Sequence, residues 1–419
     1  MLSLSLDRDR IVCRPPLCRR FAAVGVFLCC VLWATLSTCQ TQGAILCNRG
    51  DGNFDAEFRT GVKVHVGAAR NGELATRACA AKLSWEKQEL VVATGVAQLD
   101  LDVFGVDLGD GVPAAAFQIK KSEADCCMEY KIYSLQKPPR LLRTITGGDF
   151  YSASDIDLDG RVAIWTTDAA ALNGFEKLAL SELDFPPDVV FRFAHGRLLD
   201  VSAEFQPHFD DSIARIRAEI GSQDLEDFKV SDGKLTPTPA VSAERQHHLR
   251  MVKIKVLELV WAYLYSGREQ DAWRSLAEMW PPADTDRIHA ALVSARARGI
   301  HSQADGTSTG SARGREKRVH IFDAVSRPGP GPKLEVIPPT AILLLRPPVS
   351  ETQQRAEPEL FLDLVIDGSG KVRSVESLGK VKDADSDLIN AALTWKFIPA
   401  FKGDRPVASR LRLAVSPRQ

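Results

Sequence analysis

The stretch from Leu360 to Val415 constrains this chain more than any other. LFLDLVIDGSGKVRSVESL reads as strand, glycine turn, strand. Leu360–Ile366 is apolar except for Asp363, and Asp367-Gly368-Ser369-Gly370 has hairpin-turn composition. DLINAALT, Asp387–Thr394, has the pattern of a short amphipathic helix. Trp395-Lys396-Phe397-Ile398-Pro399-Ala400 opens another strand, and Gly403-Asp404-Arg405-Pro406-Val407 turns into the last, RLRLAV. Trp395 and Phe397 alternate onto one face and can cover the helix bearing Ala391 and Ala392, whose small side chains allow close approach. A small sheet packed on a helix is the expected outcome.

The other end of the chain speaks of destination rather than fold. Arg8, Arg10, Arg14, Arg19 and Arg20 precede an uncharged run from Phe21 to Thr38. Arginines before an apolar run mark a secretory signal or a signal anchor. The run is longer than a signal core of about 7–15 residues and shorter than a spanning helix of about 20, so cleaved and retained forms both stay open. Leu36-Ser37-Thr38-Cys39 resembles a bacterial lipobox, which would make Cys39 a lipidation site. Residues 1–43 are therefore read as targeting sequence, and the rest as periplasmic or as membrane-anchored and facing the periplasm.

Nine cysteines are present. Cys47, Cys79, Cys126 and Cys127 lie beyond the targeting segment, an even number suited to one or two disulfides in an oxidising compartment. Cys47–Cys79 is the expected pair. Cys126 and Cys127 are adjacent, so they are left to pair elsewhere or to stay reduced. Lysine and arginine total 53 against 54 acids, which gives no basic field for nucleic acid.

Residues 44–205 read as β-rich, with short strands rich in Val, Ile, Phe, Trp and Thr between turns such as RNGE, GDG, TGG and DLDG. A sandwich, barrel or partial propeller fits. Residues 206–302 switch to helical spacing, with helices expected over His208–Ile220, Ser242–Tyr265, Ala272–Trp280 and Asp286–Ala297. Residues 303–336 are Gly-, Ser- and Pro-rich and read as a linker with one short strand at Val319–Val325. The fold class is thus α+β and multidomain, with residues 337–419 as the terminal module.

Asp155, Asp157 and Asp159 form D-x-D-x-D-G with Gly160, a spacing that suits calcium. The loop resembles the aspartate-rich loop of FG-GAP propeller blades; a solvent-facing Asp/Gly turn is the leading reading and a calcium loop the alternative. Trp261–Pro281 resembles a single tetratricopeptide hairpin, read as packed core. HExxH, GxSxG, GxGxxG and GxxxxGK[ST] are absent. No catalytic residues are assigned, and apart from calcium no cofactor is expected.

The terminal module resembles the C-terminal domain of TonB and TonB-like envelope proteins. The matching positions are Asp367, Gly370, Val372, Leu388, Ala391, Ala392, Leu393, Trp395, Phe397, Pro399, Ala400, Gly403, Pro406 and Val407. The resemblance implies a periplasmic protein-binding role, an envelope partner such as an outer-membrane receptor, and recognition by strand addition at an edge. Arg410, Arg412 and Leu413 of the last strand are the candidate edge. Three readings follow: a non-enzymatic scaffold or adaptor, a TonB-type energy transducer, and a calcium-dependent binding module. The linker is short and Phe21–Thr38 lacks a histidine, which puts the adaptor first.

Overall fold

A computed structural model describes residues 45–69, 78–236, 242–308, 320–324, 336–345, 360–378 and 383–415. The arginine-flanked N-terminal run expected to be targeting sequence, with Cys39, lies outside the described residues. Beyond Gln40 the chain forms one compact unit of mixed α and β structure.

Its first half is a run of antiparallel meanders. β1 (Cys47–Asn48) joins a later sheet, while β2 (Phe54–Glu57), β3 (Lys63–Ala68), β4 (Cys79–Trp85) and β5 (Gln88–Val96) form a four-stranded one. β6 (Gln98–Asp107), β7 (Pro113–Lys120), β8 (Met128–Ser134) and β9 (Arg140–Gly148) follow, with β1 on the free side of β6. β10 (Ser152–Ser154), β11 (Ala163–Thr167), β12 (Asp188–Ala194) and β13 (Arg197–Asp200) make the third sheet. β4 and β5 form a hairpin that turns at Glu86, which has φ +53°.

The helices are α1 (Ala169–Leu172), α2 (Gln206–Glu219), α3 (Ser222–Lys229), α4 (Ala243–Tyr265), α5 (Glu269–Met279) and α6 (Thr285–Arg298). All four predicted helices are present; α1 and α3 are additional. α4 is central, because Val252 through Tyr265 are buried in one continuous run. Trp261, Trp280 and Tyr265 share a core with Ile132, Ile164 and Phe191 of the strands. The helices therefore pack on the sheets, and the tetratricopeptide-like aromatics are core, as expected. Lys253 and Lys255 survive burial on α4 because Glu176 meets Lys253 Nζ at 2.7 Å, and Asp184 and Glu219 each meet Lys255 Nζ at 2.7 Å. Among the described residues no helix is long and apolar enough to cross a membrane.

The presumed linker is partly built in. β14 (Gly306–Thr307) pairs in parallel with β13, and β15 (Phe322–Asp323) pairs in parallel with the last strand. β16 (Thr340–Leu343), β17 (Leu360–Ile366), β18 (Val372–Leu378), α7 (Asp383–Ala392), β19 (Lys396–Ile398), β20 (Ala400–Lys402), β21 (Arg405–Val407) and β22 (Ser409–Val415) complete the terminal module. Leu362, Leu364, Ile366, Ala392, Trp395 and Phe397 form its core, the sheet-on-helix arrangement anticipated from the alternation.

Cys47 and Cys79 form the expected disulfide, with both residues fully buried. Cys126 and Cys127 are bonded to each other in the loop between β7 and β8, and neither pair elsewhere nor stay reduced as the sequence reading expects.

Candidate interaction site: a sheet edge and the buried seam behind it

The module's sheet has the order β15-β22-β17-β18. β22 pairs with β17 along its whole length, from Ser409 opposite Ile366 to Val415 opposite Leu360. On its other side β15 covers only the start. Phe322 N donates to the Ala408 carbonyl at 2.9 Å and Ala324 N to the Arg410 carbonyl at 3.0 Å. Backbone groups of alternate residues point to the same side of a strand. The N–H and C=O of Arg412 and Ala414 thus point the same way as the Arg410 carbonyl. Among the described residues, β15's bonds end at Arg410, and this outer row of β22 stays open.

The predicted edge residues divide accordingly. Arg410 is the register partner of Asp323. Arg412 makes a forked ion pair with Asp363, Nε to Oδ1 at 2.7 Å and Nη2 to Oδ2 at 2.8 Å. The hydrogen bonds from Arg412 hold the Asp363 carboxyl below its usual range. Leu413 faces inward and packs on the module core. The edge is therefore not bare, as the sequence alone suggests: it is half capped by β15 and stiffened by an ion pair.

The TonB-like motif residues have structural work. Asp367 Oδ1 accepts hydrogen bonds from Ser369 N at 2.8 Å, Ser369 Oγ at 2.6 Å and Lys371 N at 3.0 Å. Gly370 sits at φ +89°, and a Cβ there would lie 1.8 Å from the Phe397 carbonyl oxygen, so only glycine fits. Trp395 Nε1 donates to the Leu345 carbonyl at 2.6 Å.

The variable positions of the same motifs do something else. Lys371, between Gly370 and Val372, reaches Asp102 Oδ1 of β6 at 2.5 Å. Lys396, between Trp395 and Phe397, pairs with Asp100 of β6. Asp102 Oδ2 also accepts the Tyr130 hydroxyl at 2.6 Å and Ala153 N at 2.8 Å. Asp100 and Asp102 are 4% and 2% exposed, so these are ions removed from water and matched across the contact. Burial raises the Asp100 carboxyl despite Lys396, and raises the Tyr130 hydroxyl well above its ordinary value, helped by Asp102. Apolar contact runs alongside: Ile342 and Phe401 belong to the core of the first two sheets, and Arg59 donates to the Gly403 and Asp404 carbonyls.

The aspartate loop belongs to this seam and is a backbone-bonded Asp/Gly turn, the first of the two readings. Asp155 Oδ1 and Oδ2 accept Asp159 N at 3.0 Å and Gly160 N at 2.9 Å. Asp159 pairs with Arg161 at 2.6 Å. Asp155 N donates to Asp367 Oδ2 at 3.2 Å, and Arg373 Nε reaches the same oxygen at 2.7 Å. Asp157 is not brought to Asp155 and Asp159, and among the described residues no group of His, Cys, Asp or Glu could hold a metal ion.

Burial, reinforced by the Asp367 charge, pushes the Asp155 carboxyl up to about 6. A carboxyl raised in the folded state takes up its proton before the unfolded chain does. Its penalty is present above about pH 6 and is relieved as pH falls toward the unfolded value of 3.8. Relative to Asp155→Asn, the parent protein should therefore gain thermal stability between pH 7 and pH 4.5. A difference in midpoint that stays constant across that interval would refute the assignment.

Two Asp–His pairs lie elsewhere, His301 Nδ1 on Asp200 at 2.6 Å and His208 Nε2 on Asp188 at 2.7 Å. Each ties a helical element to the third sheet. No family model, no curated protein and no solved structure matches this chain.

Proposed function

We propose that this protein is a non-enzymatic scaffold or adaptor of the bacterial cell envelope, whose TonB-like terminal module takes a protein partner by strand addition on β22. The observation that carries this reading is that, among the described residues, no strand pairs with the outer row of Arg412 and Ala414, while β17 fixes the other side of β22 along its whole length. Main-chain hydrogen bonds at such a row supply affinity without a preformed pocket.

The seam favours an adaptor over an energy transducer. A transducer's receptor-binding domain must reach its partner on an extended spacer, whereas Lys371 and Lys396 bind this module to its own β-rich part. The arginine-flanked run at the N-terminus supports export; against the calcium-dependent reading, Asp155 spends its carboxylate oxygens on its own loop's backbone and Asp159 pairs with Arg161.

Ala414→Pro tests the proposal. Proline removes one outward N–H and sets a ring on the open side, while the ladder to β17 uses the neighbouring residues. The expected result is a thermal midpoint close to the parent's and loss of the envelope protein that cross-links to this edge in the parent. Retention of that partner by a folded Ala414→Pro variant would reject strand addition at β22.

A further inference from the structure

We propose that Cys126–Cys127 is a reversible redox site, opened by an external dithiol, and that its reduction lengthens the β7–β8 hairpin by two residue pairs. The bond joins neighbours, so it stabilises the fold little by restraining the unfolded chain. What it restrains is local. A disulfide needs its two Cβ atoms within about 3.5–4.5 Å, whereas neighbours in a strand point to opposite faces. Bonded to each other, Cys126 and Cys127 cannot both continue β8, and β8 starts at the next residue, Met128.

The strand opposite is already laid out for them. β7 and β8 pair with Gln118 opposite Tyr130 and Ile119 opposite Glu129. Continuing that register puts Lys121 opposite Cys127 and Ser122 opposite Cys126, with Glu123, Ala124 and Asp125 as the connecting loop. A three-residue loop is a common hairpin connection, and its last residue takes a left-handed conformation that Asp tolerates. Backbone and side chain both follow this register up to the disulfide. The Lys121 carbonyl accepts Ala97 N at 3.1 Å, which extends the ladder of β7 on its β6 side. Lys121 Nζ meets Glu129 at 2.5 Å, the diagonal neighbour that the register supplies.

With Lys121 turned toward β6, Ser122 turns toward β8. There Asp125 stands in for Cys126. Ser122 N donates to Asp125 Oδ2 at 2.9 Å, and Asp125 N donates to the Ser122 carbonyl at 3.3 Å. In the lengthened hairpin the C=O and N–H of Cys126 take over both bonds. The two forms satisfy the same groups of Ser122, and the state of the sulfurs decides between them.

Access suits exchange. Residues 121–125 are exposed and both cysteines are half-buried, while Cys47 and Cys79 are fully buried. A thiolate of the dithiol attacks one sulfur, the S–S bond breaks, and its electron pair leaves with the other sulfur, which takes a proton. The dithiol's second thiolate then attacks the donor sulfur of the mixed disulfide and releases the first cysteine, which is protonated in turn. Two thiols form on the chain and one disulfide on the donor, a transfer of two electrons and two protons.

The test treats the full chain with graded dithiothreitol, below the concentration that opens Cys47–Cys79, and follows amide exchange by mass spectrometry. Exchange across residues 122–127 should slow about tenfold on reduction, and should return to its first rate when oxidised glutathione re-forms the bond. Cys126→Ser with Cys127→Ser, which cannot form it, should exchange slowly without reductant and should not respond to it. Reduction that leaves exchange unchanged or speeds it would overturn the proposal. So would a double-serine variant that exchanges like the oxidised parent, a bond that opens only as the chain unfolds, or one that does not re-form.

Discussion

Asp102→Ala should cost about 3–5 kcal/mol of folding stability, the range for breaking a buried ion pair by removing one partner. Asp102 is 2% exposed. Its carboxylate meets Lys371 Nζ at 2.5 Å, the Tyr130 hydroxyl at 2.6 Å and Ala153 N at 2.8 Å. Alanine leaves the Tyr130 hydroxyl and the Ala153 amide without their acceptor, and leaves the Lys371 ammonium only the Asp102 backbone carbonyl at 2.9 Å and no counter-charge. Asp102→Asn keeps one oxygen for Tyr130 and Ala153 and loses only the charge, so it should cost less. Lys371→Met removes the cation and leaves Asp102 its two remaining donors. Adding Lys371→Met to Asp102→Ala should recover part of the loss, because the buried cation goes with it. Urea denaturation of the four variants at neutral pH measures each step. An Asp102→Ala variant within about 1 kcal/mol of the parent would show that the seam is not a structural weld. The same variant should lower amide-exchange protection in β17 and β18, since Lys371 lies in the turn between them.

The residues of that weld were hard to read from sequence, and the reason is physical. In QLDLDVFGVD, Asp100 and Asp102 interrupt the apolar run. Alternation of this kind ordinarily marks a half-exposed strand with its acids in water. Here both faces of β6 are buried, because Lys371 and Lys396 neutralise the acids from far along the chain. Those lysines sit at variable positions of the TonB-like motifs, where family resemblance carries no information. The motif positions were legible because their roles are local. Gly370 answers a left-handed turn, and Trp395 and Phe397 answer a helix in the same module. The aspartate loop was legible as a loop, but the use of its carboxylates was not. Its backbone contact to Asp367 spans 212 positions in the sequence. Helix α3 escaped for a different reason: SQDLEDFK offers only Leu225 and Phe228 as an apolar face.

Removing the Cys47–Cys79 bond as a Cys47→Ala, Cys79→Ala pair should destabilise the chain by about 4 kcal/mol, the loop-closure value for a bond spanning tens of residues. The two cysteines are 32 positions apart and fully buried. Cys126→Ser with Cys127→Ser should change stability by no more than about 0.5 kcal/mol, because a bond between neighbours restrains almost no chain in the unfolded state. The two bonds also differ in access, since Cys126 and Cys127 are half-buried. Under graded reductant, mass mapping should find Cys126–Cys127 opened first and Cys47–Cys79 opened only with unfolding. Equal losses from the two pairs of substitutions would defeat this division. The buried bond also bears on the module. It ties β1 to β4, and β1 in turn pairs with β6, Cys47 opposite Leu99. Leu46 N then donates to Asp100 Oδ1 at 3.2 Å, and Asp100 is the acid that meets Lys396. Losing the disulfide should therefore weaken the grip on the terminal module as well as the first sheet. In the double-alanine protein, amide protection should fall at Lys396–Ile398 together with Cys47–Asn48. Protection lost at β1 alone would show that the staple and the seam act independently.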